Sequence, residues 1–263
     1  MAIEVQVLGS GSKGNTTLIK NGDTKILLDC GLNVRVIIER LKAVGITLNE
    51  ISAVCITHEH TDHIASASEL GDAYNIPVYA NKLTAQAIKR RVGVKNIIEY
   101  GTPTDSFGIG SIDITPFAIS HDAVCPVGYK FMDRDSSFLY ATDLGYVNED
   151  VMRLSQGADV VMIESNHDRN MLINGHYPQY LKERILSNKG HLSNETCAMT
   201  IQKMLERGTK SFILGHISEE NNLPELAFWQ TTTALDKIGA SIDKDYKLVV
   251  SMQREVSERV KAK

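Results

Sequence analysis

Apolar segments rich in β-branched residues recur along the chain at 3–8, 24–29, 52–57 and 77–80, and again at 112–119, 127–132, 137–142, 159–164, 210–216 and 246–251. Their lengths and composition predict strands. Helical periodicity separates many of them. Val34 to Val44 predicts a helix entered from Asn33 and stopped at Gly45, and Ser193 to Arg207, ahead of Gly208, predicts another with a Ser-x-x-Thr start. Strands precede helices in each half and the middle is strand-rich. Two sheets covered by helices on their outer faces, an α/β architecture, fit this order better than an all-β sandwich. No low-complexity linker, repeat or composition break divides the chain, so it reads as one domain over 1–263. The short basic tail at 253–263 is expected to fray or to form a short surface helix.

Composition narrows the setting. The chain has 263 residues, 43% hydrophobic and 23% charged, enough to bury a full core. The N-terminus alternates at a strand period, with no basic region followed by an apolar stretch, so no secretory signal is expected, and no apolar run is long enough to span a bilayer. Cys30, Cys55, Cys125 and Cys197 are scattered without a CxxC pair and read as reduced thiols, which points to the cytoplasm. The net charge of -4 and a pI near 6.1 give no bulk attraction for nucleic acid, so an anionic substrate must be held locally. Two basic clusters could contribute, Lys89-Arg90-Arg91 with Lys95, and Arg169 with Lys182 and Arg184; solvated helix faces are the plainer reading of both.

The chemistry concentrates in His58-Glu59-His60-Thr61-Asp62-His63. Residues 52–57 predict a buried strand, and His58 and His60 follow it at spacing two, which in extended backbone points both imidazoles to one side, towards one cation. Asp62 and His63 come where the chain turns into a helix expected near Ile64, so they face another way and can serve a second metal. A polar surface loop would not be expected directly after a buried strand.

This H-x-H-x-D-H run resembles the signature of the metallo-β-lactamase superfamily, and further elements follow in order: Leu27-Leu28-Asp29-Cys30-Gly31, Ser120-His121 with Gly128-Tyr129, Ala141-Thr142-Asp143, and Leu214-Gly215-His216. The resemblance implies a four-layer αββα sandwich with metals at the edge between the sheets. It puts His58, His60 and His121 on one metal, Asp62, His63 and His216 on the other, and Asp143 between them as a bridge. Asp29 is expected to accept an imidazole N–H and fix its tautomer. A donor set of imidazole and carboxylate suits two divalent ions, zinc or manganese, with iron a further candidate. His60 stands where the oxygen-reducing di-iron members have glutamate, which favours hydrolysis. A bridging water with its pKa lowered towards about 7 would act as the hydroxide nucleophile.

Met162-Ile163-Glu164-Ser165-Asn166-His167-Asp168 and Gly190-His191-Leu192-Ser193-Asn194 resemble positions that, in the phosphodiesterase branch of the superfamily, place a Glu and a His at the cleft. Attack on phosphorus needs a proton donor for the departing alkoxide, and His191, oriented by Glu164, fits that role; a helix start is the alternative for His191. Asp62, His191 and Glu164 are the candidates for catalysis. The Gly-rich opening from Leu8 to Asn15 suggests Ser10, Ser12 and Asn15, with Arg169, as candidates for holding substrate, although a tight turn between strands explains the glycines equally well. In combination these motifs, with His216-Ile217-Ser218-Glu219-Glu220-Asn221-Asn222, resemble the bacterial YycJ/WalJ (VicX) family. That resemblance implies a cytoplasmic nuclease-like protein of low-GC Gram-positive bacteria that digests DNA from 5′ ends, with links to cell-wall regulation and genome maintenance. Only about 70 residues separate Asp143 from His216, too few for the extra clamping domain of the β-CASP nucleases, since independent domains rarely fall below about 50 residues beyond their connections. No long basic arm like that of the tRNA-processing enzymes occurs either. The expectation is therefore a metal-dependent phosphodiesterase, a DNA 5′ exonuclease. The alternatives are a hydrolase of small cyclic phosphodiesters, thioesters or lactams, and a catalytically silent binding protein. Oligomeric state and metal identity are left open.

Overall fold

The computed structural model describes residues 2–262. One sheet contains β1 (Glu4–Gly9), β2 (Thr16–Asn21), β3 (Thr24–Leu28), β4 (Ala53–Cys55), β5 (Val78–Asn81), β6 (Ile97–Tyr100) and β14 (Val260–Lys261), in the order β14-β1-β2-β3-β4-β5-β6. The other contains β7 (Phe107–Ile109), β8 (Ile112–Ala118), β9 (Val127–Met132), β10 (Ser137–Ala141), β11 (Val160–Glu164), β12 (Ser211–Gly215) and β13 (Lys247–Val250), in the order β13-β12-β11-β10-β9-β8-β7. Each sheet is part antiparallel and part parallel: β3 to β6 run parallel in the first, β10 to β13 in the second.

The burial of single strands explains the layering. In β3, Ile26 and Leu28 face the second sheet while Leu27 faces helices; in β11, Val160 and Met162 point inward and Val161 and Ile163 outward. A strand covered on both faces reads as a continuous apolar run, as these do. Between the sheets lie Val5, Val7, Phe131, Phe138, Tyr140 and Ile213, all essentially buried. The first sheet is covered by α1 (Val34–Ala43), through Ile37 and Leu41, and by α3 (Lys82–Val92), through Ile88. The second is covered by α7 (Asn194–Glu206), through Ile201 and Met204, and α8 (Pro224–Asp236), through Leu235. The result is the expected αββα sandwich. Asn33 caps α1 by accepting from Arg35 N, and Ser193 caps α7 by accepting from Thr196 N.

Strands also form outside the predicted segments, at β2, β6, β7 and β14. The strand β2 is buried along nearly its whole length, so Thr-Thr-Leu-Ile shows none of the alternation by which a half-covered strand is found. The tail neither frays nor forms a helix. β14 pairs antiparallel with β1, Val5 opposite Val260, and Ala262 N donates to Ile3 O. Val260 and Ala262, at strand spacing, enter the core between charged neighbours that made the segment look like surface. Val260→Asp should therefore lower the unfolding free energy by about 1.5–3 kcal/mol or more, measured by urea denaturation, since apolar burial is exchanged for an unpaired charge.

Candidate metal centre

The parallel strands β3, β4, β10, β11 and β12 all end at one edge, and the chemically active residues lie in the turns just beyond them. Asp29, Asp143 and His216 take φ of 58°, 60° and 53°. Among the described residues only Asn75 and Asp243 are the other non-glycines with positive φ, so left-handed backbone gathers at this edge, where it turns each side chain back across the strand ends.

After β4, His58 and His60 are joined by His121, and their ring nitrogens lie within 4.8 Å of one another. Thr57 Oγ1 is 3.0 Å from His58 Nδ1, and Gly190 O is 3.3 Å from His121 Nδ1. These contacts leave His58 Nε2 buried without a partner and set His121 Nε2 3.3 Å from His60 Nδ1. A second group adjoins the first. α2 (Thr61–Ile64) is a single turn holding Asp62 and His63 within it rather than ahead of it. His63 Nε2 is 3.4 Å from Asp62 Oδ2, and His216 Nε2, also buried without a partner, is 3.8 Å from the same oxygen. Asp143 stands between the groups, Oδ2 3.4 Å from His63 Nε2 and Oδ1 3.8 Å from His121 Nε2. Donors bound at 2.0–2.2 Å to one tetrahedral ion stand about 3.4 Å apart, so these spacings and the two orphaned buried nitrogens fit divalent metal binding.

The electrostatics agree. Burial, then the neighbouring His63, His121 and His60, hold the His58 pKa well below the ordinary imidazole value, so it presents a neutral ring. Burial opposes charge on His63 too, but Asp29, Asp62 and Asp143 outweigh it and raise its pKa well above normal. Three carboxylates at this point favour positive charge. Asp29 Oδ2 lies 2.8 Å from His63 Nδ1, while Thr57 N and Oγ1 donate to Oδ1. The Nδ1–H is thereby held on the carboxylate side and Nε2 is turned to the cluster.

The ligand loop also depends on a residue without a side chain. A Cβ on Gly31 would stand 1.6 Å from Asp62 O, and around it Cys30 N donates to His63 O and Asn15 N to Asp62 O. Gly31→Ala should push the 61–63 turn out of place and lower metal content substantially although no candidate ligand is substituted; metal analysis after reconstitution checks this.

Glu164, fully buried at the end of β11, makes four contacts. Its Oε1 is 2.7 Å from both His191 Nδ1 and His216 Nδ1, and its Oε2 accepts from Leu144 N at 2.9 Å and Leu192 N at 3.0 Å. Burial alone would raise its pKa, but His191 and then His216 outweigh it and hold the carboxyl well below its ordinary range. The His191 ring lies 5.2 Å from that of His121 and 5.0 Å from that of His216, and its Nε2 has no protein partner among the described residues. An imidazole oriented by a carboxylate beside a metal-type cluster can deliver a proton to a group bound there.

Residues 24–217 match the family model described as the beta-lactamase superfamily domain. The chain is 38% identical over 255 residues to the exodeoxyribonuclease WalJ of Streptococcus pneumoniae serotype 2 (strain D39 / NCTC 7466), covering 94% of each protein. The chain belongs to the WalJ/YycJ family of the beta-lactamase superfamily. The exodeoxyribonuclease YycJ of Bacillus anthracis is 34% identical over 253 residues, 94% of this chain and 95% of that protein. Among solved structures, the metallo-beta-lactamase fold protein YhfI from Bacillus subtilis superposes with a TM-score of 0.75 at 17% identity, covering 99% of this chain and 100% of that one, which establishes a shared fold.

Within this WalJ/YycJ-family site some sequence candidates stand elsewhere than expected. Ser10 and Asn15 are buried and committed: Ser10 Oγ accepts from His216 N and donates to Asn15 Oδ1, and Asn15 Nδ2 lies 3.3 Å from Asp62 Oδ2. They brace the loops that carry Asp62 and His216, and their polar atoms are used within the protein. Ser12 is exposed in the same turn, and Arg169 is exposed at the start of α5 (Arg169–Asn174) with no side-chain partner among the described residues. The basic cluster on α3 is partly spent, Lys89 on Glu99 and Arg91 on Glu59 O. Sequence reading passed over Thr57, which no spacing marks, and Asp122, whose position next to His121 was the available signal. Asp122 Oδ1 lies 3.4 Å from His121 Nε2 and 3.8 Å from His60 Nε2. No described helix is long and apolar enough to cross a membrane.

Proposed function

We propose that this protein is a metal-dependent exodeoxyribonuclease that hydrolyses DNA phosphodiester bonds from the 5′ end. The observation that carries the reading is the Glu164–His191 pair, 2.7 Å apart, whose imidazole stands beside the His and Asp cluster. The names of the WalJ and YycJ relatives support it. Lactam and thioester hydrolysis have less need of such a proton donor, because their leaving groups take a proton from water at the metals.

In this reading His58, His60 and His121 would hold one divalent cation and Asp62, His63 and His216 the other, with Asp143 available to both; zinc and manganese both suit the donors, and iron is not opposed by them. Bound cations supply a water of lowered pKa and offset phosphate charge. The protein's own residues do the rest. Asp29 and Thr57 fix the His63 and His58 rings, Glu164 fixes those of His216 and His191, and His191 passes its proton to the alkoxide leaving the phosphorus. Ligands come from both sheets, so the active unit is the whole chain as one domain. Free thiols at Cys30, Cys55, Cys125 and Cys197 suit work in the cytoplasm.

The test is hydrolysis of DNA labelled at either end, with RNA, bis-p-nitrophenyl phosphate and a cyclic dinucleotide as competitors, under zinc and under manganese. Release from the 5′ end of DNA is expected. Faster turnover of the small esters than of any polynucleotide would replace this reading with the small-molecule one. Reconstituted protein should hold close to two ions per chain; Asp143→Ala should lower both occupancies, and His121→Ala should mainly empty one. Full activity at a firm single ion would count against the two-metal assignment.

A further inference from the structure

Beside the cluster, the last turn of α6 (Gln179–Leu186) presents Arg184, about half exposed, with its Nε 2.6 Å from Asp122 Oδ2. The other oxygen of the same carboxylate is the one that faces His121 and His60. One side chain therefore ties the guanidinium to two imidazoles of the candidate metal cluster.

We propose that Arg184 binds a phosphate of the substrate at the mouth of the metal centre, with Asp122 as the positioning residue that aims it. This rests on the nuclease reading above and names a recognition residue for it. Three observations carry the step. The first is that the ion pair is not needed to hold α6 in place. The carboxy end of this helix is already docked by His191 N on Ile185 O, by Ser120 Oγ on Asn188 O and by Gly190 O against His121 Nδ1. A half-exposed pair adds only about 0–1 kcal/mol of stability.

The second is donor capacity. Only Nε engages Asp122, so both terminal amino groups of the guanidinium are without a protein acceptor among the described residues. A planar fork with free donors matches two phosphate oxygens.

The third is charge. Metals in the cluster would offset charge at the phosphate they hold, whereas a neighbouring phosphate on a chain of net charge -4 gains from a basic side chain at the rim, where Arg184 stands. Of the basic residues nearby, Lys182 and Arg91 each direct a nitrogen to a backbone carbonyl, Ile173 O and Glu59 O, and Lys189, in the loop after α6 that contacts Ser120 and His121, brings a charge without a planar fork.

The experiment is binding of a short single-stranded phosphorothioate DNA, slow to hydrolyse and labelled at its 3′ end, to the metal-loaded protein, followed by fluorescence anisotropy across a salt series, then steady-state digestion of ordinary DNA. Arg184→Ala should weaken binding about tenfold, the loss of a charged hydrogen-bonding contact, and should make the slope of log K against log salt shallower by about 0.7, one phosphate on a single strand. Arg184→Lys should restore the slope but not the affinity, because it keeps the charge without the fork. Asp122→Ala should raise KM more than it lowers kcat and retain both metals. Arg259→Ala, which removes a cation paired with Glu4 at the far end of β1, should leave slope and affinity at wild-type values. An Arg184→Ala protein with wild-type affinity and slope overturns the proposal, as does loss of metal from Asp122→Ala, which would make Asp122 a ligand instead. Failure of the wild-type protein to digest DNA overturns the nuclease reading itself, and shows in the parent rather than in the variants.

Discussion

His191→Ala should lower the rate of DNA hydrolysis by about 10²- to 10⁴-fold, the usual contribution of a positioned general acid, while both cations stay bound. The expectation follows from where the ring sits. His191 Nδ1 is engaged by Glu164, its ring centre lies 5.2 Å from that of His121 and 5.0 Å from that of His216, and its Nε2 has no protein partner among the described residues. A residue that only shaped the start of α7 would not need a buried carboxylate on its imidazole. The discriminating measurement is the dependence on leaving group. A deoxyribose alkoxide departs poorly without a proton, whereas nitrophenolate departs unaided, so bis-p-nitrophenyl phosphate should lose far less than DNA. Equal losses on the two substrates, at unchanged metal content, would assign His191 to binding or to structure.

Much of this site was legible because its residues are punctuated by strand ends. Asp29, His58, Asp143, Glu164 and His216 each close an apolar run, and parallel strands bring such ends to one edge. What spacing could not supply is which neighbours meet across that edge. Glu164 was read as the orienter of His191 alone; its contact with His216 exists because β12 lies beside β11 in register, Glu164 opposite Gly215, a fact of sheet order rather than of sequence distance. Between the two readings of the Ser10–Asn15 turn, sequence distance could not choose for a related reason. Polar residues in a Gly-rich turn look available to a ligand, yet the turn folds under His216 and Asp62, so their hydrogen bonds are used within the protein. The tail was missed because two buried residues, Val260 and Ala262, are too few to show a period among charges.

The double duty of Glu164 yields the second large effect. Glu164→Gln keeps the shape of the side chain but cannot keep its bonds. Four donors converge on the carboxylate, two backbone N–H groups on Oε2 and two imidazole nitrogens on Oε1. An amide offers one acceptor and one donor group, so whichever way it is turned, an NH2 faces groups that are themselves donors. Each buried donor left without an acceptor costs about 1–3 kcal/mol, and urea denaturation should show a loss in that range at the least. Releasing His216 Nδ1 should weaken metal binding about 10- to 100-fold, the usual effect of removing a partner that orients a ligand, measured by competition with a chromogenic chelator. Releasing His191 should in addition bring DNA turnover at saturating metal down to the level of His191→Ala. The double variant Glu164→Gln with His191→Ala separates the two paths: at saturating metal it should be no slower than His191→Ala alone, because the acid is already gone, yet its metal affinity should still fall. Wild-type metal affinity in Glu164→Gln would show that the carboxylate serves only His191, and that its 2.7 Å contact with His216 has no bearing on the metals.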